Sequence, residues 1–351
     1  MIKHTHTSFI GFFAFALILQ TPPANAQSND SDEGLENAQP DAQTSGSGNE
    51  NTGIFQLNQS AADLTQQDNI FAASVVTNDG AALSDATSSQ RASNNSPSTN
   101  ANTSTLLADV ANDATGIVAI NQSSATGSAQ ANIASIALTK GTGGLAAASA
   151  TGSAVIGQSN PGVFDGGLAT STIANIGNDS SGIYAINQVS GNGGTQENII
   201  AIAAASNGVA LADVTGSGLN GSDNDNDSLG QNGQFPANAG AVSLTDSFNN
   251  MSGLVQLNQA SGGNNLQSNL IAIAFGNYAD THAISDAGLG TVHPTTSSSG
   301  NDGGDGNHGS TLLAGSFDGF TGVAQVSQVS GHQNQVANTM TVTMTHIPGG
   351  G

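Results

Sequence analysis

Five segments of the chain repeat one alternation of large apolar residues with small or polar ones. They begin at Gly53, Gly116, Gly182, Gly253 and Gly322, and each places Gln six residues on, at Gln59, Gln122, Gln188, Gln259 and Gln328. Ten residues after that comes Asn, at Asn69, Asn132, Asn198, Asn269 and Asn338, without an insertion in any copy. The period is two, which belongs to strands, where successive side chains point to opposite faces, and not to helices. Two and four residues after the glycine stand Phe55/Leu57, Val118/Ile120, Tyr184/Ile186, Val255/Leu257 and Ala324/Val326. Beyond the Asn the pattern continues as Ile200/Ile202, Ile271/Ile273/Phe275 and Met340/Val342/Met344, with Ala, Ser or Thr between. Each copy is thus predicted to form two strands, each with one packing face, and the marker Gln and Asn lie on it.

A second amide, at Gln67, Gln130, Gln196 and Gln267, falls two residues before the Asn and on the same face. A buried amide without partners costs about 1–3 kcal/mol, whereas a satisfied one contributes about 0.5–1.5 kcal/mol. Identical amides stacked one repeat above another satisfy each other as a ladder, as in cross-β assemblies. The fifth copy carries Val336 instead, which marks it as a candidate cap.

Fainter strand-like stretches flank each pair: Leu106 to Val110, Ser171 to Ile176, Val242 to Phe248 and Thr311 to Phe317 before the glycine, each leading into Asn or Asp turn residues. After the Asn come Ala82-Leu-Ser-Asp85, Ala210-Leu-Ala-Asp213 and Ala283-Ile-Ser-Asp286. The expected fold is all-β: a repetitive β-solenoid-like or cross-β stack of five strand-loop-strand repeats with long polar linkers. The repeats are placed at 53–87, 105–152, 171–215, 241–289 and 310–347, the linkers at 88–104, 153–170, 216–240 and 290–309. Residues 27–52 are expected to be a disordered lead, the first copy having no preceding strand, and 348–351 a tail.

Composition explains why a stack is needed. Aromatic residues are 4%, Trp is zero and Gly numbers 46, too little bulk for the thick core of an ordinary globule of 351 residues. Residues 1–26 read as a secretory signal, with Lys3, an apolar run from Phe9 to Leu19 and Ala24-Asn25-Ala26 before the cleavage point. The expected destination is secreted, at the outer surface or beyond it, and no later stretch approaches the ~18 unbroken apolar residues of a membrane helix. Removal of Lys3 leaves 2 cations against 25 acids, which excludes nucleic acid and anionic membrane as partners. No cysteine is present, so disulfides contribute nothing.

The pattern G-x-x-x-[ILV]-[NS]-Q followed by Q-x-N resembles the repeats of bacterial functional-amyloid subunits. Gln188-Val-Ser-Gly191-Asn192 and Gln328-Val-Ser-Gly331-His-Gln-Asn334 look like curlin strand-loop-strand units. The long linkers resemble more closely the Fap-type fibre subunits, whose cysteine pair is absent here, and Asn258 to Asn269 is the best single match. Proteins that anchor holdfast polysaccharide are similar in composition. The resemblance implies a self-assembling surface fibre in adhesion, biofilm or anchoring, with the chain itself as main partner and an outer-membrane exporter and extracellular polysaccharide as further ones. The alternatives are a monomeric β-solenoid adhesin for carbohydrate or a surface protein and, last, a polysaccharide-degrading β-helix enzyme.

Candidate chemistry is sparse, and no cofactor is expected unless calcium is one. Asp223-Asn-Asp225-Asn-Asp227 opens like a calcium loop, but Ser228 and Gln234 occupy positions where Gly and Glu belong, so it is either a weak calcium site or a solvated loop. The Gly/Asp run from Gly300 to His308 admits the same two readings. His282, His293, His308, His332 and His346 show no ligand spacing, and Arg91 and Lys140 sit beside no carboxylate constellation. No catalytic residues are expected. Thr339, Thr341, Thr343 and Thr345 alternate as on an ice-binding face, but in one copy alone, and ordinary β-propensity accounts for them.

Overall fold

A computed structural model describes residues 41–61, 65–93, 103–158, 168–222, 239–278, 280–292, 310–331 and 334–345. All regular elements among them are strands, and all strand pairings are parallel. The chain lays down five layers by one route: a short strand, a corner, and then three longer stretches folded back on one another, of which layer five has the first two among the described residues. Layer one consists of β1 (Asp41–Ser45), β2 (Thr52–Ser60), β3 (Gln66–Val76) and β4 (Ala81–Ser93). Layer two is β5 (Thr103–Val110) and β6 (Thr115–Gln158), and β6 pairs in turn with β2, β3 and β4, so its 44 residues are three successive stretches. Layer three repeats this with β7 (Leu168–Ile176) and β8 (Ser181–Ser222). Layer four uses β9 (Ala239–Thr245), β10 (Ser252–Gly276) and β11 (His282–Val292), and layer five β12 (Ser310–Ala314), β13 (Thr321–Ser330) and β14 (Gln335–Thr345).

Equivalent residues stand directly above one another. Gly53, Gly116, Gly182, Gly253 and Gly322 form one column, and Asn69, Asn132, Asn198, Asn269 and Asn338 another. This is the β-solenoid-like stack expected from the repeats, with neighbouring layers ~4.7–4.9 Å apart, as strands hydrogen-bonded side by side must be.

Across layers one to four, four walls enclose three seams of side chains, and layer five has three of these walls, β12, β13 and β14, among the described residues. Leu107, Ile173 and Leu244 of the short strands meet Val118, Ile120, Tyr184, Ile186, Val255 and Leu257 in the first seam. The buried Tyr184 satisfies its hydroxyl by donating to the Ala111 carbonyl, 2.7 Å away. The second seam holds Leu254, Ile200 and Ile271. In the third, Ile199, Ala201, Ala203 and Ala272 face Ala146, Ala148, Ala210 and Ala212. Both faces of the first and second long stretches are therefore buried, where the sequence pattern suggests one packing face each. The small residues between the large ones are themselves core, because a stretch folded inside a layer has a wall on either side.

The expected boundaries change in three places. β1 lies within residues 27–52, so the first copy does have a preceding strand, paired with β5. The stretches read as linkers begin with strand: β4 runs to Ser93, β6 to Gln158, β8 to Ser222 and β11 to Val292, and Ser88, Gln90 and Ala154 are buried. Ser- and Gly-rich sequence has little to bury, but here each residue gains backbone bonds to the layers beside it. Thirdly, Ala283 stands above Ala212 and not above Ala210, a slip of two residues from the sequence alignment that keeps the same side chains inward.

Candidate functional site

In a stack the functional surface is the set of columns that holds one layer on the next. The glycine column shows how close that approach is. Gly182 has a φ of +132°, and a Cβ built on it would lie 1.9 Å from the carbonyl oxygen of Gly116, with the same clash at Gly116, Gly253 and Gly322. Only a residue without a side chain allows this backbone path at this spacing.

The column of second amides is continuous. Gln67 Nε2 donates to Gln130 Oε1 at 2.7 Å, Gln130 to Gln196 at 2.8 Å and Gln196 to Gln267 at 2.7 Å. Each also donates to the backbone carbonyl of the marker Gln in its own layer, as Gln196 does to Gln188 at 2.9 Å. At layer five the column stops at Val336, and Gln267 turns to the Ser327 carbonyl.

The marker glutamines behave differently in the two halves. Gln328 donates to Gln259 and Gln259 to Gln188, at 2.7 and 2.9 Å, as a ladder requires. Gln122 donates instead to the Thr172 carbonyl and Gln59 to Leu106 and Ala42, so in the lower layers this amide ties the first wall to the short strands.

The Asn markers form the densest network. Asn132, Asn198, Asn269 and Asn338 each donate to the Asn one layer below, at 2.9–3.1 Å. Across the second seam Asn69, Asn132, Asn198 and Asn269 donate to a parallel column of Asn58, Asn121, Asn187 and Asn258, and the Nδ2 groups of Asn121, Asn187 and Asn258 reach down a layer at 3.0–3.1 Å. Ser327 takes the fifth place in that column and donates to Asn269 Oδ1. Asn187 and Asn198 are fully buried, so each bond is made out of water, where leaving it unmade is expensive.

Two features lie outside the expected set. At the corner before each glycine, the side-chain oxygen of Asn49, Asn112, Asn178 and Asn249 accepts from the backbone N–H one layer up, at 2.7–2.9 Å. The sequence signals this as Asn or Asp after the short strand. The second is Glu197, 1% exposed, with neither carboxylate oxygen hydrogen-bonded. It stands in the column Asp68, Ala131, Glu197, Ser268, Ala337 and faces the third wall at Gly152 and Gly216, where an added Cβ would come within 3.2 Å of it. Asp68, two layers down and held by the Ser88 hydroxyl, is the other charged group of that column.

Burial pushes the Glu197 carboxyl from 4.5 up to about 8. The folded value is the higher one, so the stability associated with this group is fully present below about 4.5 and is lost as pH rises through about 8. Thermal unfolding should show a falling Tm across that window, and Glu197→Gln should remove most of the slope. An unchanged slope in the variant would mean that Glu197 is not the group responsible.

Among the described residues no cluster of His, Asp and Glu is arranged to hold a metal, and no helix is long and apolar enough to cross a membrane. Asp223, Asp225 and Asp227, the run from Gly300 to His308 and the signal region lie outside those residues. His282 opens β11, its Nδ1 3.0 Å from the Asp280 carbonyl, and Thr339, Thr341 and Thr343 are exposed on β14.

The family model of the functional amyloid proteins FapB and FapC matches residues 22–205 and, in a second register, 156–345. No curated protein and no solved structure matches. The two matches overlap because the repeats allow more than one alignment, and together they take in all five layers. By its repeats, its parallel stack and this match, the chain belongs to the FapB/FapC family of functional amyloid proteins.

Proposed function

We propose that this amyloid subunit is exported through its leading segment and polymerises head to tail into an extracellular fibre that serves surface adhesion or biofilm structure. The observation that carries the reading is the repetition of one register through all five layers of the first and second walls. Layer one pairs only with layer two and layer five only with layer four, so both ends present an open parallel edge. An open edge is a template for another strand, and here the two ends match: Asn69 of an incoming copy would fall above Asn338, and Gly53 above Gly322. Such a contact joins unlike ends without closing, which gives a filament instead of a ring. Purified chain lacking residues 1–26 should form detergent-resistant filaments with a reflection near 4.7–4.8 Å. A stable monomer at high concentration would sink the proposal.

The junction is weakest in two places: β4 of the next copy finds no third wall in layer five among the described residues, and the glutamine column of the second wall is interrupted. Val336 replaces Gln at the upper end, so Gln67 of the next copy finds no amide beneath it. Val336→Gln should extend the glutamine column across the junction and speed seeded elongation several-fold, in keeping with ~1 kcal/mol for one added hydrogen bond. Slower growth would show that the contact of Val336 with Val189, Ala260 and Val329 matters more.

A second reading, the monomeric adhesin, has one observation in its favour: an open groove of about 440 Å³ on the outer side of the third wall, lined by Leu83, Asp85, Ala147, Ser149, Leu211 and Asp213. Glycan-array binding by monomer, lost on Leu83→Glu, would support it.

A further inference from the structure

The second wall is longer than the first, and among the described residues nothing covers the outermost column at its far end. Past the point where Ile183 and Leu254 pack on Ile200 and Ile271, two more columns follow on the same face, the inner one partly covered by that seam and the outer one without a partner wall among the described residues. They are Ala73, Ile136, Ile202, Ile273 and Val342, and then Val75, Leu138, Ala204, Phe275 and Met344. In the outer column Val75, Phe275 and Met344 are 54%, 39% and 58% exposed. Every layer contributes, so the apolar strip runs the whole length of the stack. The column beside it is Thr52, Thr115, Ser181, Ser252 and Thr321, which adds no charge.

We propose that this strip is the surface along which two stacked filaments of this same chain pair side by side. The inference rests on the head-to-tail reading above and goes beyond it, because that reading requires no lateral contact.

Two arguments select a second filament as the occupant. The first is charge. A chain with 25 acids and 3 cations repels its own kind, so copies can approach only where carboxylates are absent. Of the other large apolar residues exposed on the walls, Leu83 and Ile284 sit beside Asp85 and Asp213 on the third wall, and Leu312 of β12 stands above Ser243 and Thr172 and so belongs to no apolar column, while the ten side chains of the strip are apolar and include no acid.

The second argument is area. Two positions on one strand face span about 6.6 Å and five layers about 24 Å, so one copy, its inner column partly covered, offers at most on the order of 160 Å². A stable interface needs roughly 500 Å² from each side, which takes at least three or four stacked copies and is beyond one. Single chains should therefore stay apart and filaments should pair, the contact strengthening with every copy added. Paired identical columns interdigitate as dry zippers, and the mixture of Ala, Val, Leu, Ile and Phe at these positions supplies the uneven surface that interdigitation uses.

The test is cryo-electron microscopy of filaments of the natural chain and of a Leu138→Ser, Phe275→Ser, Met344→Ser variant. These three side chains lie outside the glycine and amide columns, so stacking should survive. The expected result is paired filaments for the natural chain and single ones for the variant, with half the mass per length and the same axial rise. Leu83→Ser with Ile284→Ser should leave the pairs intact. Single filaments from the natural chain, or pairs that persist in the triple variant, would overturn lateral pairing while leaving head-to-tail growth standing. Absence of any filament would remove both. Retention of the variant's 4.7–4.8 Å reflection shows that it folds. Capture of monomer on phosphatidylcholine vesicles, lost in the triple variant, would assign the strip to lipid and overturn the proposal.

Discussion

Gly182→Ala should abolish assembly and disrupt the solenoid at its middle. The backbone there has a φ of +132°, and a non-glycine residue held in such a region costs on the order of 1–3 kcal/mol before any contact is considered. The contact is worse, since the new Cβ would stand 1.9 Å from the Gly116 carbonyl oxygen. Relief requires layers two and three to separate at this point, which breaks the parallel pairing running from Thr115↔Ser181 onward. Loss of the β-sheet circular dichroism signal and of filaments is the outcome that fits. A variant that stacks normally would show that the glycine column is not under this constraint. Ser181→Ala, one position away and half-buried on the uncharged side, serves as the control and should change little.

The second large effect is expected at Asn187. Its Nδ2 donates to Asn121 Oδ1, Asn132 Oδ1 and the Ala131 carbonyl, and its Oδ1 accepts from Asn198 and Asn258. Asn187→Ala removes five hydrogen bonds spread over three layers at once, each contributing about 0.5–1.5 kcal/mol, although its side-chain partners each keep at least one other bond. Nor can water enter readily, because the surrounding network is fully buried. The chemical-denaturation midpoint should drop well below that of Gln122→Ala, whose Nε2 makes one bond, to a backbone carbonyl. Equal losses at the two sites would mean that buried amide count, and not network position, sets the stability.

That comparison also shows how much of the molecule could be read from its residues. The Gly, Gln and Asn spacing announces a stack of five copies, and the register puts those markers in columns. What periodicity could not show is that the small residues are buried too. Ala201 and Ala203 look like a solvent face beside Ile200 and Ile202, because period two separates the faces without saying how many of them are covered. The column of Asn58, Asn121, Asn187 and Asn258 was visible in the letters, immediately before each marker Gln, but its parity opposes that of the marker. Only the folding of the second wall against the first brings it to Asn69 and its equivalents. Glu197 gave no signal at all, since one acid among polar residues looks solvated until a third wall is laid over it.

Linker boundaries failed for a related reason. Residues such as Ser88 and Gln90 have no apolar pattern, yet Gln90 Nε2 reaches the Gln130 carbonyl at 2.8 Å from inside β4. In a stacked fold the backbone and the amides carry structure that hydrophobicity does not advertise. Membership of a functional amyloid family and the mutual fit of the two ends describe one design, in which the bonds that join layers within a chain can join chains.

The helical rise of the filament, measured by cryo-electron microscopy, tests this most directly. Each added chain should lengthen the fibre by five layers, about 24 Å at the usual strand spacing. A rise of about 4.8 Å per chain, with every copy flattened into one layer, would contradict it.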